Sequence, residues 1–473
     1  MSFIKLPQEL LFLIYRIDHN FIYNQLLLSS QSYELMKHYL ENTFDHPLYA
    51  NLNPSFFENF KFIRLRKLIP LTHFKKVINL SISGCNIEEI PELPDTILFL
   101  DISYNKIKKL KNLLQKLVTL NCAGNQLTTL EGSPPNIQHT FNCSNNQLTT
   151  LEGCPQNIQH TFKCYNNKLT TLMGAPKDIQ HTFICYGNQL TTLECSPQDI
   201  QHTFNCSSNK LRTLEGSPKN IQHTFDCSWN KLTTLEGSPK NIQHTFNCSN
   251  NELRTLEGSP KNIRHTFNCS YNKLLTLFGC PTNIQHTFNC CNNQIMTLEW
   301  CPQYVQHTFI CAANQLTTLN NAPKHVRHYF DCSSNQLTTL DGSPNNITHS
   351  FYCSFNQLIT LKGAPQNICH TFRCCNNKLI SLDGSPRNIQ HTFNCTNNQL
   401  TSLDGCPKHI KHTFDCSYNE LTTLDGCPQN IKINFRCCYN KLTTLIGAPI
   451  YCKDPFSYYG NKLIINDKTL IFI

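Results

Sequence analysis

The sequence predicts a solenoid of short parallel β-strands, in which an extended or turn-rich segment returns from each strand to the next. The first observation is a 21-residue unit that begins at His139, begins again at His160 and continues along most of the chain. The second is an asparagine that recurs with the unit, from Asn125 to Asn461. Fixed periods of this length are typical of solenoids, whose units gain stability only by stacking on their neighbours.

Each unit is predicted to contribute one strand. Phe141 and Cys143 alternate with Thr140, Asn142 and Ser144, so Phe and Cys should point inward and the polar set outward. The outward set is predicted to form a concave face. The following residues, 149–155, include Gly and Pro, which disfavour a helix, so the convex side should be extended or turn-rich.

The repeat resembles a leucine-rich repeat, whose core reads Leu-x-x-Leu-x-Leu-x-x-Asn-x-Leu. The five core positions are filled in register by Ile97, Leu100, Ile102, Asn105 and Ile107. A Leu-Pro pair precedes them, as in the short bacterial-type version of the family. The resemblance covers residues 76–473 and implies a leucine-rich repeat solenoid of 19 repeats, counted by the recurring asparagine.

The regular units depart from this family in one respect. They carry one extra residue between Ile137 and Phe141, so the start of the strand is expected to differ from that of the family. In the same units Leu148 and Leu151 take the later apolar positions. The recurring asparagine is expected to bond the loop backbone of its own and adjacent units, because a turn buried between coils must satisfy its peptide groups.

Residues 1–75 differ from the array and are predicted to form a small region of two or three short helices. This region resembles an F-box, which begins Leu-Pro-x-Glu-Leu-Leu and closes with Leu-x-Leu-x-Ser-x-x-Trp. The residues that match in order are Leu6, Pro7, Glu9, Leu10, Leu11, Ile14, Leu26, Leu28, Ser30 and Tyr33. The segment departs at Ile17-Asp18, which arrives one residue early, and at Tyr33, which replaces Trp.

The F-box resemblance implies an adaptor that docks on the Skp1 subunit of cullin-based ubiquitin ligases, while the repeats present a substrate. The implied docking residues are Leu6, Pro7, Leu10, Leu11 and Ile14. The alternative is that they pack on the first repeats as the cap that an open solenoid needs. The combination of segments also resembles repeat proteins of giant DNA viruses of amoebae, which would place the chain in the host cytoplasm.

Two further columns follow the repeat. Fourteen histidines, from His139 to His412, and sixteen cysteines, from Cys122 to Cys437, recur every 21 residues. We expect a stack of imidazoles at the start of the strands and a ladder of buried free thiols. The alternative, a zinc- or copper-loaded His/Cys array, lacks the close ligand spacings typical of such sites, so no metal is predicted.

The predicted concave face carries aromatic and charged residues among many Thr, Asn and Ser, and such residues commonly anchor protein interfaces. The candidate binding residues are Tyr165, Tyr186, Trp229, Tyr271, Tyr329, Tyr352, Phe355 and Arg373. The alternative is that several of these aromatic side chains fill gaps above small neighbours.

Composition and motifs exclude several classes of function. The formal charge of +9 is thinly spread, which does not indicate a nucleic-acid partner. An apolar run long enough to span a bilayer and an ordinary secretion signal are both missing, so an intracellular location is expected. Without a phosphate loop, nucleophile motif or paired carboxylates, neither catalysis nor a cofactor is expected. The predicted function is therefore a protein-binding module. The alternatives, in order, are a structural repeat protein without a ligase partner and the metal-loaded His/Cys array.

Overall fold

The computed structural model describes residues 61–65, 67–68, 70–454 and 456–464. The chain divides into two compact units, residues 1–204 and 205–473. The predicted F-box-like helices and the Skp1-docking residues Leu6, Pro7, Leu10, Leu11 and Ile14 lie outside the described residues.

The first unit contains a parallel sheet with one three-residue strand per repeat. Its strands are Phe62–Arg64, Asn79–Ser81, Phe99–Asp101, Thr119–Asn121, Thr140–Asn142, Thr161–Lys163, Thr182–Ile184 and Thr203–Asn205, whose final residue lies past the unit boundary. Equivalent residues of neighbouring strands face each other, as Phe141 faces Phe162. A short 3₁₀ helix, Leu71–His73, separates the first two strands. The first strand precedes residue 76, where the sequence places the start of the array.

The second unit repeats the same arrangement. Its three-residue strands are Thr224–Asp226, Thr245–Asn247, Thr266–Asn268, Thr287–Asn289, Thr308–Ile310, Tyr329–Asp331, Ser350–Tyr352, Thr371–Arg373, Thr392–Asn394, Thr413–Asp415 and Asn434–Arg436. Pairing is parallel and in register, so Phe246 faces Phe267 and Phe267 faces Phe288. In-register pairing places each side chain beside its counterpart one repeat away.

Many repeats also contain a two-residue strand just before the longer one, which the sequence analysis did not predict. These strands are Asn136–Ile137 and Asn157–Ile158 in the first unit, and Asn220–Ile221, Asn241–Ile242, Asn262–Ile263, Asn283–Ile284, Tyr304–Val305, Asn367–Ile368, Asn388–Ile389 and His409–Ile410 in the second. They pair in parallel, as Asn241–Ile242 does with Asn262–Ile263. They end where the extra residue of the unit occurs, so the chain bends there between two short ladders.

The core of each unit consists of stacked apolar columns. In one repeat Ile263, Phe267, Cys269, Leu274 and Leu277 are all at most 1% exposed. The phenylalanine rings of successive repeats stack, with 5.4 Å between the centroids of Phe246 and Phe267. Burial of a side chain of this size contributes about 1.5–3 kcal/mol. The predicted inward positions of the repeat are therefore confirmed.

The recurring asparagine ties each coil to the preceding one. The Nδ2 group of Asn272 donates to the carbonyl oxygens of Cys248, Cys269 and Ser270 at 3.0–3.2 Å. Its Oδ1 accepts the backbone N–H of Leu253 at 3.1 Å. One side chain thus bonds backbone groups in two repeats, which confirms the structural role predicted for this column.

The return segments pack closely against one another. Gly258 adopts φ +86°, a left-handed conformation that disfavours a side chain. A Cβ atom at this glycine would lie 2.6 Å from the carbonyl carbon of Leu235 in the preceding repeat. The glycine is therefore required both for the turn and for the close approach of the coils.

Candidate functional site

The outward face of the three-residue strands, called here the strand face, is a polar lattice in which many side chains support the backbone. Its second outward position is most often Asn or Asp, whose Oδ1 accepts the backbone N–H two residues later. Ser228 donates to Asp226 at 3.0 Å, and Ser270 donates to Asn268 at 3.1 Å. This bond fixes the turn that follows the strand.

A residue of another type at the second outward position gives up this bond. In the regular repeats, the exceptions are Lys163, Ile184, Ile310, Tyr352, Arg373 and Arg436. Positions that depart from a locally favourable pattern are expected at functional or strained sites. These six residues and their neighbours are therefore the candidate positions for a binding site on the strand face.

One cluster on three neighbouring strands of the second unit contains two of these exceptions. The Tyr329 hydroxyl donates to Oδ2 of Asp331 at 2.9 Å, and the Ser333 backbone N–H donates to Oδ1 at 2.9 Å. The ring of Tyr329 meets that of Tyr352 edge to face, with 5.1 Å between centroids and 88° between planes. The Cζ atom of Arg373 lies 4.9 Å from the centroid of the Tyr352 ring.

These contacts give the cluster a fixed shape. An edge-to-face aromatic pair contributes about 0.5–1.5 kcal/mol, and an exposed cation over a ring about 0.5–1 kcal/mol. Burial and the Asp331 carboxylate raise the pKa of Tyr329, so its hydroxyl remains a neutral donor. Arg373 is exposed at the end of this chain of contacts. The cluster therefore presents one cation on a supported aromatic surface.

The presence of Tyr329 has a cost at His328, the residue just before the strand. In most repeats a threonine hydroxyl follows the column histidine and shares a hydrogen bond with its Nδ1 atom, at 2.9 Å between His307 and Thr308. Tyr329 replaces that threonine, and the buried Nδ1 atom of His328 has no hydrogen-bond partner among the described residues. Such a loss typically costs about 1–3 kcal/mol, and the bond to Asp331 and the ring contact with Tyr352 replace it with contacts on the outward face of the strands.

The other predicted binding residues do not join this cluster. In the first unit Tyr165 and Tyr186 are half-buried and stack on each other, with 4.6 Å between ring centroids. In the second unit Trp229, Tyr271 and Phe355 are each more than half exposed, at 63%, 54% and 57%. Phe355 lies in the turn that follows Tyr352.

Sequence reasoning missed an apolar patch on the return segments of two adjacent repeats. Leu275, Phe278, Met296 and Trp300 are 42–60% exposed there. The rings of Phe278 and Trp300 meet edge to face at 5.5 Å. These residues stand where other repeats commonly have Thr, Glu, Thr and Gly. A comparison of column exceptions along the return segment, rather than along the strand alone, would have found them.

The histidine column is stacked, as the sequence predicts. Ring centroids lie 4.1–4.2 Å apart from His244 through His265 and His286 to His307, with nearly parallel planes. Burial lowers the pKa of His286, and so would positive charge on His307 and His244. The neutral form of the His286 imidazole is therefore favoured at this place in the column.

This stacking does not suit a metal site. Parallel rings direct their nitrogen lone pairs in the same direction, whereas ligands of one zinc or copper ion must converge on it at about 2 Å. The described residues contain no group of three His, Cys, Asp or Glu side chains placed to hold a metal ion. The ladder cysteines point into the core, so they do not meet the partly exposed histidines.

The cysteines, all of which fall within the described residues, are free. The ladder thiols are buried, and burial raises the pKa of Cys248 and of its neighbour Cys269. The Cys269 thiol donates to the carbonyl oxygen of Asn289 at 3.4 Å in the next repeat. The ladder therefore behaves as a column of small hydrophobic groups with a weak hydrogen bond between coils.

Stacked 21-residue coils with inward Ile, Phe, Cys and Leu and a buried asparagine define a parallel β-solenoid of the leucine-rich repeat type. The structure is similar to YopM from Yersinia enterocolitica, with a TM-score of 0.64 and 24% identity, covering 81% of this chain and 87% of that one. No family model matches the sequence. No curated protein matches it either.

Two further solved structures have the same fold. A leucine-rich repeat protein from Bacteroides thetaiotaomicron gives a TM-score of 0.51 at 13% identity, covering 92% of this chain and 59% of that one. The Toll–Spätzle complex of Drosophila gives 0.51 at 16% identity, covering 88% and 79%. In the described part of the chain, no helix has the length and apolar character to cross a membrane.

Proposed function

We propose that the chain is a protein-binding module that recognises its partner through the strand face of the second unit. The observation that carries this proposal is the cluster of Tyr329, Tyr352 and Arg373. Three neighbouring strands depart there from the Thr/Asn lattice, at a cost to local hydrogen bonding. Tyrosine and arginine held by their neighbours are typical interface anchors, because little side-chain freedom is lost on binding.

The fold supports this proposal because its repeats place many outward side chains on one ladder. The solved Toll–Spätzle complex contains a chain of the same fold engaged in a complex. The cluster of Tyr329, Tyr352 and Arg373 shows a binding arrangement rather than a catalytic one: Asp331 beside it is bonded to Tyr329 and Ser333, and its exposed group is the Arg373 guanidinium. A binding module therefore accounts for the site better than an enzyme does.

The test restores the common residues of the repeat. A variant with Tyr329→Thr, Tyr352→Asn and Arg373→Asn should keep the fold, because Thr and Asn occupy the equivalent positions in many other repeats. Proteins retained by the wild-type chain in a pull-down should be lost with this variant. A matched variant with Ile310→Asn and Arg436→Asn, outside the cluster on the same face, should retain them. Equal retention by all three chains would refute the proposal.

In its finer form, the proposal is that the module is a substrate receptor of a Skp1–cullin ubiquitin ligase in the cytoplasm, within a host cell if the chain is viral. Support comes from the F-box-like order of Leu6, Pro7, Leu10, Leu11 and Ile14. Apolar side chains in that order would be left for a partner to cover. A structural repeat protein without a ligase partner is the competing proposal.

Binding to purified Skp1 distinguishes the ligase receptor from the repeat protein without a ligase partner. The full chain should form a complex with it at micromolar concentration, and Leu10→Asp should abolish the complex by placing a charge in the docking face. A matched Glu9→Asp substitution keeps the charge beside that position and should leave binding intact. Absence of a complex with the wild-type chain would retire the ligase role and leave the strand-face proposal standing.

A further inference from the structure

We propose that Arg373, with the side chains that hold it, binds the carboxylate of an acidic side chain on the protein partner. This inference rests on the proposed protein-binding function and names the chemistry of its anchor. A series of contacts across three neighbouring strands holds the Arg373 side chain in place. Asp331 holds the Tyr329 hydroxyl, Tyr329 packs against Tyr352, and Tyr352 lies beneath the guanidinium of Arg373.

The guanidinium is available for a ligand. The Arg373 side chain is exposed and makes no hydrogen bond or ion pair within the described part of the chain. The acidic group of the cluster forms no ion pair with Arg373 in the described part of the chain; the two oxygens of Asp331 accept bonds from Tyr329 and from the Ser333 backbone. An arginine stacked on a ring keeps its N–H groups directed outward in the plane of the guanidinium.

The surroundings favour a carboxylate over a phosphate. One guanidinium matches one carboxylate through two parallel hydrogen bonds, whereas a phosphate group carries nearly two charges and usually recruits several basic groups. The charged residues nearest Arg373 at the second outward position are acidic: Asp331 two strands before it and Asp415 two strands after it. A doubly charged group would be repelled by both carboxylates. A single carboxylate placed over Arg373 is repelled less.

The chain contains a matched arginine that lacks this support. Arg436 occupies the same strand position and is also exposed, but its Nε donates to Oδ1 of Asn434 at 3.3 Å. No aromatic ring lies beneath it among the described residues. Arg436 therefore has the same charge and strand position as Arg373, with part of its donor capacity already used. Substitution of each arginine separates the supported site from a general effect of positive charge.

The experiment measures binding of the full chain to an array of immobilised twelve-residue peptides. Each peptide set has a central Glu flanked by Leu, Gly and Ser, together with its Gln and phosphoserine counterparts. We expect the wild-type chain to retain Glu peptides at least about ten-fold better than Gln peptides, as a charge-assisted bidentate bond provides. Arg373→Gln should remove this preference, while Arg436→Gln should keep it. Equal melting temperatures would show that both variants fold.

Four outcomes would overturn the inference: equal retention of Glu and Gln peptides, equal losses in Arg373→Gln and Arg436→Gln, retention of phosphoserine peptides alone, or failure to retain any peptide. The proposed function is judged separately by the pull-down with the restored Thr/Asn lattice. A partner lost in that pull-down without any acidic preference on the array would leave the module in place and remove only the carboxylate site.

Discussion

Replacement of one ladder asparagine, Asn272→Ala, should destabilise the second unit strongly. The substitution leaves the Leu253 N–H without a partner, which costs about 1–3 kcal/mol when the group is buried. The carbonyl oxygens of Cys248 and Cys269 each lose one of two asparagine donors, because Asn251 and Asn293 still reach them. With about 0.5–1.5 kcal/mol for each of these bonds, the expected loss is about 2–6 kcal/mol.

Urea unfolding followed by circular dichroism measures this loss, and hydrogen exchange of the Leu253 amide shows whether it is local. Asn283→Ala is the matched control, because Asn283 is exposed in a two-residue strand and should change stability by less than about 0.5 kcal/mol. Asn272→Asp should destabilise at least as much as Asn272→Ala, since a carboxylate would face carbonyl oxygens. A loss below about 1 kcal/mol for Asn272→Ala would refute the assignment of the ladder as the link between coils.

Three further predictions follow from the columns. The unfolded chain binds protons near the ordinary histidine pKa of about 6.5, whereas the lowered pKa values of His265, His286 and His307 delay protonation of the folded chain to lower pH. The melting temperature should therefore fall from pH 7 to 5.5, and fall less in His286→Gln; an unchanged value would contradict the stack. Gly258→Ala should cost about 2–5 kcal/mol in urea unfolding through backbone overlap and left-handed strain, whereas Gly84→Ala, with open space around it, should cost only about 1–2 kcal/mol. In thiol labelling of the native chain, exposed Cys195 and Cys369 should react quickly, and rapid labelling of the buried ladder would show that its coils open readily.

The architecture could be predicted because the same 21-residue unit recurs many times in the sequence. Alternation of Phe141 and Cys143 with polar residues fixed which side chains face inward, and the recurring asparagine marked the buried turn. The two-residue strands could not be predicted in the same way. A pair such as Asn136–Ile137 is too short to show alternation, and its pairing depends on the neighbouring coil one repeat away. The extra residue before Phe141 indicated only that the backbone would differ there.

The candidate site was predicted in its residue types but not in its grouping. The sequence indicated that Tyr329, Tyr352 and Arg373 lie on one face, because the strand period places them there. It did not show that Tyr329 is tied to Asp331, or that the guanidinium lies on a ring rather than against an acid. Those relations depend on side-chain rotamers across neighbouring strands, which the repeat pattern does not specify.

A chain of near-identical repeats offers a built-in reference for deciding which residues serve stability. Where a repeat keeps Thr and Asn on the strand, the side chains bond their own turn or the neighbouring histidine, so those positions are explained by folding. Tyr329 removes such a bond and makes contacts with Asp331 and Tyr352 on the outward face instead. Trp300 presents the same case on the return segment: it adopts φ +65°, in a column usually occupied by glycine, and most of its ring is exposed. Left-handed backbone costs a residue with a side chain about 1–2 kcal/mol, so the backbone at this position disfavours Trp300. If a partner still binds after the strand-face cluster is removed, the next residues to replace are Trp300 and its ring contact Phe278, as Trp300→Gly and Phe278→Glu.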